Sequence, residues 1–351
     1  MANTSSPQHR DSHRSLTRRS FGVLALGSFS ALALAACGSS NSSDSNASAS
    51  SASTSAKPAP SALPSGMGST AGDGEFPRTV KHFRGETKIE SAPKSVVILS
   101  TGQLDDVLAL GLVPIGAATA NDADLVPEYL KTKFSDKSAE LDKIAKVGKR
   151  TEPDLGAIAN LHPDLILINN TNKKEEVYES LSKIAPTVVT EGTGHNWKQD
   201  FLMVASALGS LSKAEEMLKD YEDKAKKLGE KAGKEKTFSF LYAAGDRTRV
   251  YAKSSFVGSI CEDASLARPV VQQEGKTSID LSSENLDQAD GDYLFYGVQG
   301  GDESKLTSET LWESLKAVKE KHAHKVDADM FYLNAGITAA LGVIEEIDKN
   351  I

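Results

Sequence analysis

Several residues of this protein have side chains that could take part in covalent chemistry, but they do not occur in the sequence motifs that such chemistry needs. Gly275, Lys276 and Thr277 have the order that ends a phosphate-binding loop, but Val270 stands where the first glycine of that motif belongs. No G-x-S-x-G, H-E-x-x-H or C-x-x-C pattern occurs, so a hydrolase, a zinc protease or a dithiol enzyme would lack its nucleophile or ligands. We therefore expect a protein that binds, and no enzyme.

Histidine and cysteine give two further possibilities. His322 and His324 alternate, so they could face one side of a strand as metal ligands. Their position between Lys321 and Lys325 favours a solvated entry to a strand instead. Cys261 lies in an apolar run, where a small buried side chain is the commonest role. We expect no metal site in this chain.

The N-terminal segment has the pattern of an export signal. Arg18 and Arg19 precede the apolar run from Phe21 to Ala36, which is shorter than the roughly 20 residues that span a bilayer. Small residues then lead to Cys37, which resembles the lipobox of bacterial lipoproteins, and the paired arginines resemble a twin-arginine signal. We expect residues 1–36 to be a signal peptide and a lipid on Cys37 to hold the chain on the extracytoplasmic face of the cell membrane. The alternative is an uncleaved anchor with an incidental cysteine.

The charge of the chain excludes one class of partner. Its formal net charge is −8, and cleavage before Cys37 would make it more negative by removing four arginines and one aspartate. Binding to nucleic acid needs a basic surface that displaces counterions. We expect no nucleic-acid partner.

Composition divides the chain into regions. Residues 37–75 are rich in Ser, Ala, Gly, Thr and Pro, and such a segment buries too little surface to fold, so we expect a flexible tether. The 276 residues from Phe76 onward suffice for two lobes. We predict an N-terminal α/β lobe over 76–195, linking helices over 196–234 and a C-terminal α/β lobe over 235–351.

The pattern of apolar residues supports this division. Short β-branched runs alternate with helical spacing, as expected for sheets covered on both faces. The predicted strands are Ser95–Leu99, Val113–Gly116, Asp164–Ile168, Thr187–Val189, Thr237–Tyr242, Asp292–Tyr296 and His324–Asp327. A helix is predicted from Asn196 to a stop at Gly209. A longer one follows, with Ser212 to Glu215 as a capping box.

Several segments resemble one family. Pro77–His82, Pro93–Val97 and Leu161–Ile166 look like the opening strands of ferric-siderophore substrate-binding proteins, and the resemblance continues to Phe331–Tyr332 and Gly336–Ala340. It implies a class III fold of two Rossmann-like lobes joined by one long helix. It also implies a monomer with no cofactor, whose cargo is a ferric siderophore and whose partner is the permease of an ABC importer.

Within that family, the segment around Arg150 is similar to the arginine-bearing loop of ferric hydroxamate binders. A guanidinium offers a rigid fork of donors to the oxygen atoms that already saturate the iron. Tyr332 matches a tyrosine of the cleft. Asn172, Glu274 and Met330 stand where hydroxamate binders place a tyrosine and tryptophans. These five residues are the first predicted ligand contacts.

A second group in the C-terminal lobe could replace the missing aromatic residues. It consists of Arg247, Arg249, Tyr251 and Phe256; charges on an exposed hairpin are the alternative. Because no dense cluster of lysine and arginine is evident in this acidic chain, we expect a neutral or cationic hydroxamate chelate rather than a trianionic catecholate. Haem or cobalamin on the same fold is the alternative cargo.

The resemblance also implies two acidic points that dock on permease arginines. Glu284 matches the motif of the second lobe. In the first lobe Gly156 stands where the family has its glutamate, so Glu152 or Asp154 would have to serve. Solvated surface carboxylates are the alternative for all three.

Overall fold

The structure is a computed structural model that describes residues 57–120 and 124–351. The predicted signal peptide, the predicted lipid attachment at Cys37 and the predicted tether up to residue 56 lie outside these residues. Among the described residues no helix has the length and apolar character needed to cross a membrane.

The described part of the chain alternates strands and helices. The strands are β1 Arg78–His82, β2 Gly85–Ile89, β3 Val96–Ile98, β4 Gly116–Thr119, β5 Ala145–Lys149, β6 Glu152–Pro153, β7 Leu165–Asn169, β8 Thr187–Thr190, β9 Phe238–Ala244, β10 Arg247–Tyr251, β11 Ser278–Leu281, β12 Tyr293–Val298 and β13 Ala323–Lys325. The α-helices are α1 Gln103–Ala109, α2 Glu128–Lys133, α3 Ser138–Leu141, α4 Leu155–Asn160, α5 Glu175–Ile184, α6 Trp197–Leu208, α7 Leu211–Ala232, α8 Phe256–Asp263, α9 Ser304–Thr307, α10 Lys316–Lys319 and α11 Ile337–Lys349.

The first lobe is built on a sheet in the order β6-β5-β4-β3-β7-β8. Every pair in it is parallel except the short β5–β6 hairpin. All residues of β3, β7 and β8 are buried, as the continuous apolar runs predicted. The strand expected at 113–116 instead begins at Gly116, because Pro114 has no amide to give to a sheet.

The second lobe contains a sheet in the order β11-β10-β9-β12-β13. Strands β9, β12 and β13 are parallel, and β10 is antiparallel to both its neighbours. Rings of Phe238, Tyr293, Phe240 and Phe295 stack in pairs across β9 and β12. The two lobes are therefore similar but not equal, since the second has a more mixed sheet.

Two consecutive helices connect the lobes. Helix α6 is almost wholly buried and ends at Gly209, whose φ of 72° is the left-handed conformation expected there. Helix α7 buries the predicted stripe that includes Leu218 and Tyr221. The predicted capping box is wrong: the amides of Leu211 and Ser212 donate to the carboxylate of Asp73 at 2.9 and 3.0 Å.

That contact shows that the folded body begins before residue 76. Leu63 packs against the cores of both lobes, the amide of Ser69 donates to the Ser206 hydroxyl at 2.8 Å, and the amide of Gly74 donates to the Gly209 carbonyl at 3.0 Å. The predicted boundary at 75 is therefore too late. Composition misled because this segment is held by backbone hydrogen bonds and by Asp73, which need few large apolar side chains.

A second contact joins the lobes beside the linking helices. The carboxylate of Asp105, on α1, accepts the amides of Thr338 and Ala339 at 2.8 and 2.9 Å, at the beginning of α11. Gly336 permits this approach, because a Cβ there would lie 2.4 Å from Cγ of Asp105. The lobes are thus fixed to each other at more than the linking helices.

Candidate functional site

A cleft between the lobes holds two adjoining cavities. The smaller has a volume of about 270 Å³ and the larger about 1120 Å³. Five residues line both of them: Thr101, Arg150, Tyr332, Leu333 and Asn334. Because the two cavities share these residues, they adjoin and form one site. The shared residues come from both lobes, so the site lies between the lobes, where small-molecule ligands commonly bind.

Arg150 lies at the turn of the β5–β6 hairpin. Its amide donates to the Thr119 carbonyl at 2.9 Å, and its guanidinium donates to the Thr101 hydroxyl at 2.5 Å. A guanidinium carries five N–H donors, so donors remain for a ligand. Gly148 makes the hairpin possible, since its φ is +91° and a Cβ would lie 2.7 Å from the Asp154 amide.

An aromatic wall faces Arg150 from the second lobe. Tyr332 belongs to a single π-helical turn, Asp329–Leu333, and its ring lies against those of Tyr242 and Tyr251, with centroids 5.5 and 4.8 Å away. The Tyr332 hydroxyl donates to the Phe295 carbonyl at 2.8 Å, and burial raises its pKa well above the usual value. The wall therefore offers ring faces to a ligand, whereas the hydroxyl of Tyr332 is already engaged.

Charged residues line the larger cavity in unexpected number. Four cations face it, Lys149, Arg150, Arg249 and Lys325, together with three acids, Asp124, Asp327 and Asp329. Lys325 pairs with Glu303 at 2.8 Å. We expected no cluster of cations, and this expectation is wrong. Strands β5, β10 and β13 bring together basic side chains that lie far apart in the sequence.

Arg249 differs from its neighbour Arg247. Arg249 lines the larger cavity, and its buried Nε has no hydrogen-bond partner in the described part of the chain; Oδ1 of Asp280 is 3.8 Å from it. Arg247 is exposed, and both its Nε and Nη2 donate to Asp280, at 3.2 and 2.5 Å. The sequence grouped the two, but only Arg249 faces the cleft. Tyr251 and Phe256 line the smaller cavity, as expected of cleft residues.

Three further predicted contacts lie outside both cavities. Asn172 gives its carbonyl to the Arg84 guanidinium, Glu274 pairs with Lys276 at 2.8 Å, and Met330 lies against Gly342 of α11. Matching by position failed here because it identifies the segment but not the direction of each side chain: Met330, for example, lies in the same turn as Asp329 and Tyr332 but contacts α11. Neighbouring residues take their place: Thr171 lines the smaller cavity, and Asp329 lines the larger.

The predicted docking acids lie on the surface. Glu284 is exposed in the first turn of the 3₁₀ segment Ser283–Ala289, and Glu152 is exposed on β6. Asp154 has a structural role, since its carboxylate accepts the Ala157 amide at 2.9 Å and caps α4. None of the three has an ion pair within the described chain, and Glu152 and Glu284 differ from Asp154 in having no capping role.

Two carboxyl groups of the cleft were missed by the sequence analysis. Asp106 and Asp200 line the smaller cavity and are only 2 % and 9 % exposed. Burial raises the pKa of Asp200 to about 7 and raises that of Asp106 well above the usual value, with the charges of Asp105 and Asp200 adding to the effect. Adjacent acids inside the apolar stripe of α1 were the available signal.

The other groups considered for chemistry are structural. Cys261 is fully buried, as predicted, and burial raises its pKa to about 12. His322 and His324 stack against Tyr293, with ring centroids 4.7 and 6.5 Å away, and both remain half-exposed between the exposed Lys321 and Lys325. Among the described residues, no group of three His, Cys, Asp or Glu is placed to hold a metal ion.

Comparison with known proteins places this architecture in a family. Residues 96–330 match the periplasmic binding protein family. The chain is 34 % identical over 289 residues to the probable siderophore-binding lipoprotein YfiY of Bacillus subtilis, covering 77 % of this chain and 86 % of that protein. It is 29 % identical to the iron(3+)-hydroxamate-binding protein FhuD of the same organism, over 78 % and 86 % of the two chains.

Solved structures agree with the fold. The Staphylococcus aureus protein SirA, complexed with staphyloferrin B, superposes with a TM-score of 0.66 at 29 % identity, covering 78 % of this chain and 97 % of that one. The chain belongs to the periplasmic binding protein family. Its members are the substrate-binding proteins of transport systems and are not enzymes. This confirms the predicted class and the two-lobed α/β fold.

Proposed function

We propose that this protein is an extracytoplasmic receptor that binds a ferric siderophore between its lobes and delivers it to the permease of an ABC importer. The observation that carries the proposal is the position of Arg150, on the wall shared by both cavities and opposite an aromatic face. Iron in a siderophore is already surrounded by oxygen atoms. A receptor therefore needs hydrogen-bond donors and ring faces around the chelate, and this cleft supplies both.

The cavity volumes agree with a cargo of this kind. The larger cavity, about 1120 Å³, lies at the upper end of the usual range for ligand sites. A siderophore-binding lipoprotein and an iron(3+)-hydroxamate-binding protein are both similar to the chain along most of its length. These similarities support the cargo class without choosing the chelate.

Different features of the cleft favour two different kinds of chelate. The hydroxamate predicted from sequence suits Arg150 and the tyrosine wall. An anionic chelate rich in carboxylates is favoured by the four cations of the larger cavity. Two of them, Arg150 and Arg249, have donors that make no hydrogen bond to an acid among the described residues. We keep the hydroxamate as the first candidate and the anionic chelate as the second.

Tryptophan fluorescence tests the proposal. The chain has two tryptophans, and Trp197 lies edge-on to Phe256, a cleft residue, with ring centroids 5.7 Å apart. Titration with ferric hydroxamate, ferric citrate and ferric catecholate chelates should give saturable quenching with at least one of them. A Soret band on adding hemin, with no response to any ferric chelate, would establish the alternative cargo instead.

The membrane attachment is a further part of the proposal. We expect diacylglycerol on Cys37, reached after removal of residues 1–36, and a monomeric receptor on the extracytoplasmic face. Replacing Cys37 with Ser should abolish labelling by radioactive palmitate and release the body from membranes. Replacing Arg18 and Arg19 with Lys should block export through the twin-arginine route, whereas normal export would indicate the general secretory route.

A further inference from the structure

The smaller cavity has an acidic floor that the proposed cargo contacts do not use. Asp106 and Asp200 both line it. Among the described residues, Oδ1 of Asp106 is buried and has no hydrogen-bond partner, in a residue that is 2 % exposed. An unpartnered buried carboxylate oxygen is costly, so its presence in a residue that lines a cavity points to a ligand that a small movement of this side chain would let it bind.

The described residues supply no cation to these acids. Both oxygen atoms of Asp200 accept backbone amides, from Glu191 at 2.9 Å and Gly192 at 2.8 Å, and the amide of Ile337 supports Asp106. In the part of the chain that the structure describes, neither aspartate has a lysine or arginine partner. Two neighbouring buried carboxyl groups cannot both be ionised cheaply unless a positive charge comes between them.

The rest of the smaller cavity suits a cation on a carbon chain. Its walls include the rings of Tyr251, Phe256 and Tyr332, and the face of an aromatic ring attracts an ammonium group. Its volume of about 270 Å³ is too small for a whole siderophore. It exceeds severalfold the roughly 30 Å³ that one water molecule occupies in the liquid, so a short alkylammonium arm has room.

Building on the proposed function, we propose that the smaller cavity is a subsite for a protonated amine arm of the cargo. The ammonium group binds Oδ1 of Asp106, and Asp200 supplies the second negative charge. Arg150, on the wall between the cavities, keeps its donors for the oxygen atoms of the chelate in the larger cavity. The cleft would then select chelates that carry an amine at one end.

The test compares two forms of one probe: a ferric linear trihydroxamate that ends in a primary amine, and the same chelate with the amine acetylated. The parent protein should bind the amine form at least about tenfold more tightly, the scale of one charge-assisted hydrogen bond. Asp106→Asn should remove this preference and leave the affinity for the acetylated form nearly unchanged. Asp136→Asn is the control, because Asp136 is an exposed acid of the same lobe that lines neither cavity; it should keep the preference.

The comparison on the parent protein needs no variant, so a folding defect cannot hide the answer. Equal affinity of the parent for both forms would overturn the amine subsite while leaving the proposed function standing. If neither trihydroxamate binds, the hydroxamate form of the proposed function fails, and titration with propylammonium then decides the subsite by itself. A saturable change in Trp197 fluorescence that Asp106→Asn abolishes supports it, and no change in the parent overturns it.

Discussion

Arg150 is fixed by its backbone and by one nitrogen of its guanidinium group. Its backbone is fixed to Thr119 and one of its guanidinium nitrogens to Thr101, so little side-chain entropy remains to be lost when a ligand arrives. A preorganised guanidinium can bind two oxygen atoms of one chelate at once. The contribution of this single side chain to affinity should therefore be large.

Replacing Arg150 with Ala should weaken binding of the preferred ferric chelate by about 1.5–3 kcal/mol, or roughly tenfold to a hundredfold. Lysine should restore only part of the loss, because it keeps the charge without the fork. Fluorescence titration measures the effect. Arg247→Ala is the control and should bind as the parent does, since Arg247 is exposed and occupied by Asp280; unchanged affinity of Arg150→Ala would contradict the cleft assignment.

His82 determines part of the pH dependence of stability. Its Nδ1 accepts the Arg84 amide at 3.2 Å, its Nε2 lies 2.9 Å from the Thr87 hydroxyl, and burial lowers its pKa from 6.5 to about 4. In the unfolded chain His82 therefore binds a proton below about pH 6.5, whereas in the folded chain it does so only below about pH 4. The free energy of unfolding due to His82 falls as the pH falls through this window.

Replacement by glutamine tests this role, because glutamine can donate and accept but does not titrate. Between pH 6.5 and 4 the urea midpoint of His82→Gln should fall less steeply than that of the parent. His162→Gln is the control, since His162 is exposed and makes no side-chain contact of this kind. Parallel curves for the parent and His82→Gln would show that His82 does not control acid stability.

At the scale of elements, the β5–β6 hairpin decides where Arg150 lies. Gly148 has a φ of +91°, and a Cβ would come within 2.8 Å of both the Asp154 amide and the Glu152 carbonyl. Gly85 has a similar φ, +123°, but open space around it. Substitutions at both glycines would strain the backbone, but only a substitution at Gly148 would also cause a collision that moves the hairpin. Comparing the two therefore separates these effects.

Both Gly148→Ala and Gly85→Ala should lower stability, by about 1 kcal/mol or more, because a side chain disfavours positive φ. Only Gly148→Ala should also weaken chelate binding, since the collision must displace the turn that carries Arg150. Chemical denaturation and fluorescence titration on the same samples measure the two effects. Full affinity in Gly148→Ala would mean that the hairpin tolerates the displacement.

The elements also show how far the sequence could predict the site. Apolar runs and helical spacing located the main strands and both linking helices, because those patterns record which faces are buried. The family resemblance located Arg150, whose hairpin is local. Asp106, Asp200 and the cations Lys149 and Lys325 were missed because their proximity arises from the order of strands and helices, which no local pattern encodes.

At the scale of the whole molecule, the proposed cargo site and the proposed docking point lie on different surfaces. The cleft lies between the lobes, whereas Glu284 lies exposed beside Ser283 and lines neither cavity. An interface charge that meets arginines on a permease affects association and not the cargo site. The two activities should therefore be separable by mutation.

Replacing Glu284 with Arg should leave chelate affinity unchanged and strongly reduce uptake of radioactive iron, because like charges would then face each other across the interface. Glu313→Arg is the control, as another exposed acid without an intramolecular ion pair. Glu152→Arg should show a weaker form of the same effect, with some change in cargo affinity since it lies two residues from Arg150. Uptake at the parental rate by Glu284→Arg would remove the docking assignment.

The segment that precedes residue 76 contacts the linking helices and the first lobe. Lys57 and Pro58 lie beside His195, Ser69 is held by α6 and Asp73 by α7, and Gly68 exchanges two backbone hydrogen bonds with Lys81 of β1. A mechanical load entering at residue 57 is thus passed to the linking helices and to the first lobe, and it does not pull the two lobes against each other. Tension from a membrane anchor should neither open nor close the cleft, and the protein should hold its cargo equally well whether it is fixed to a surface or free in solution.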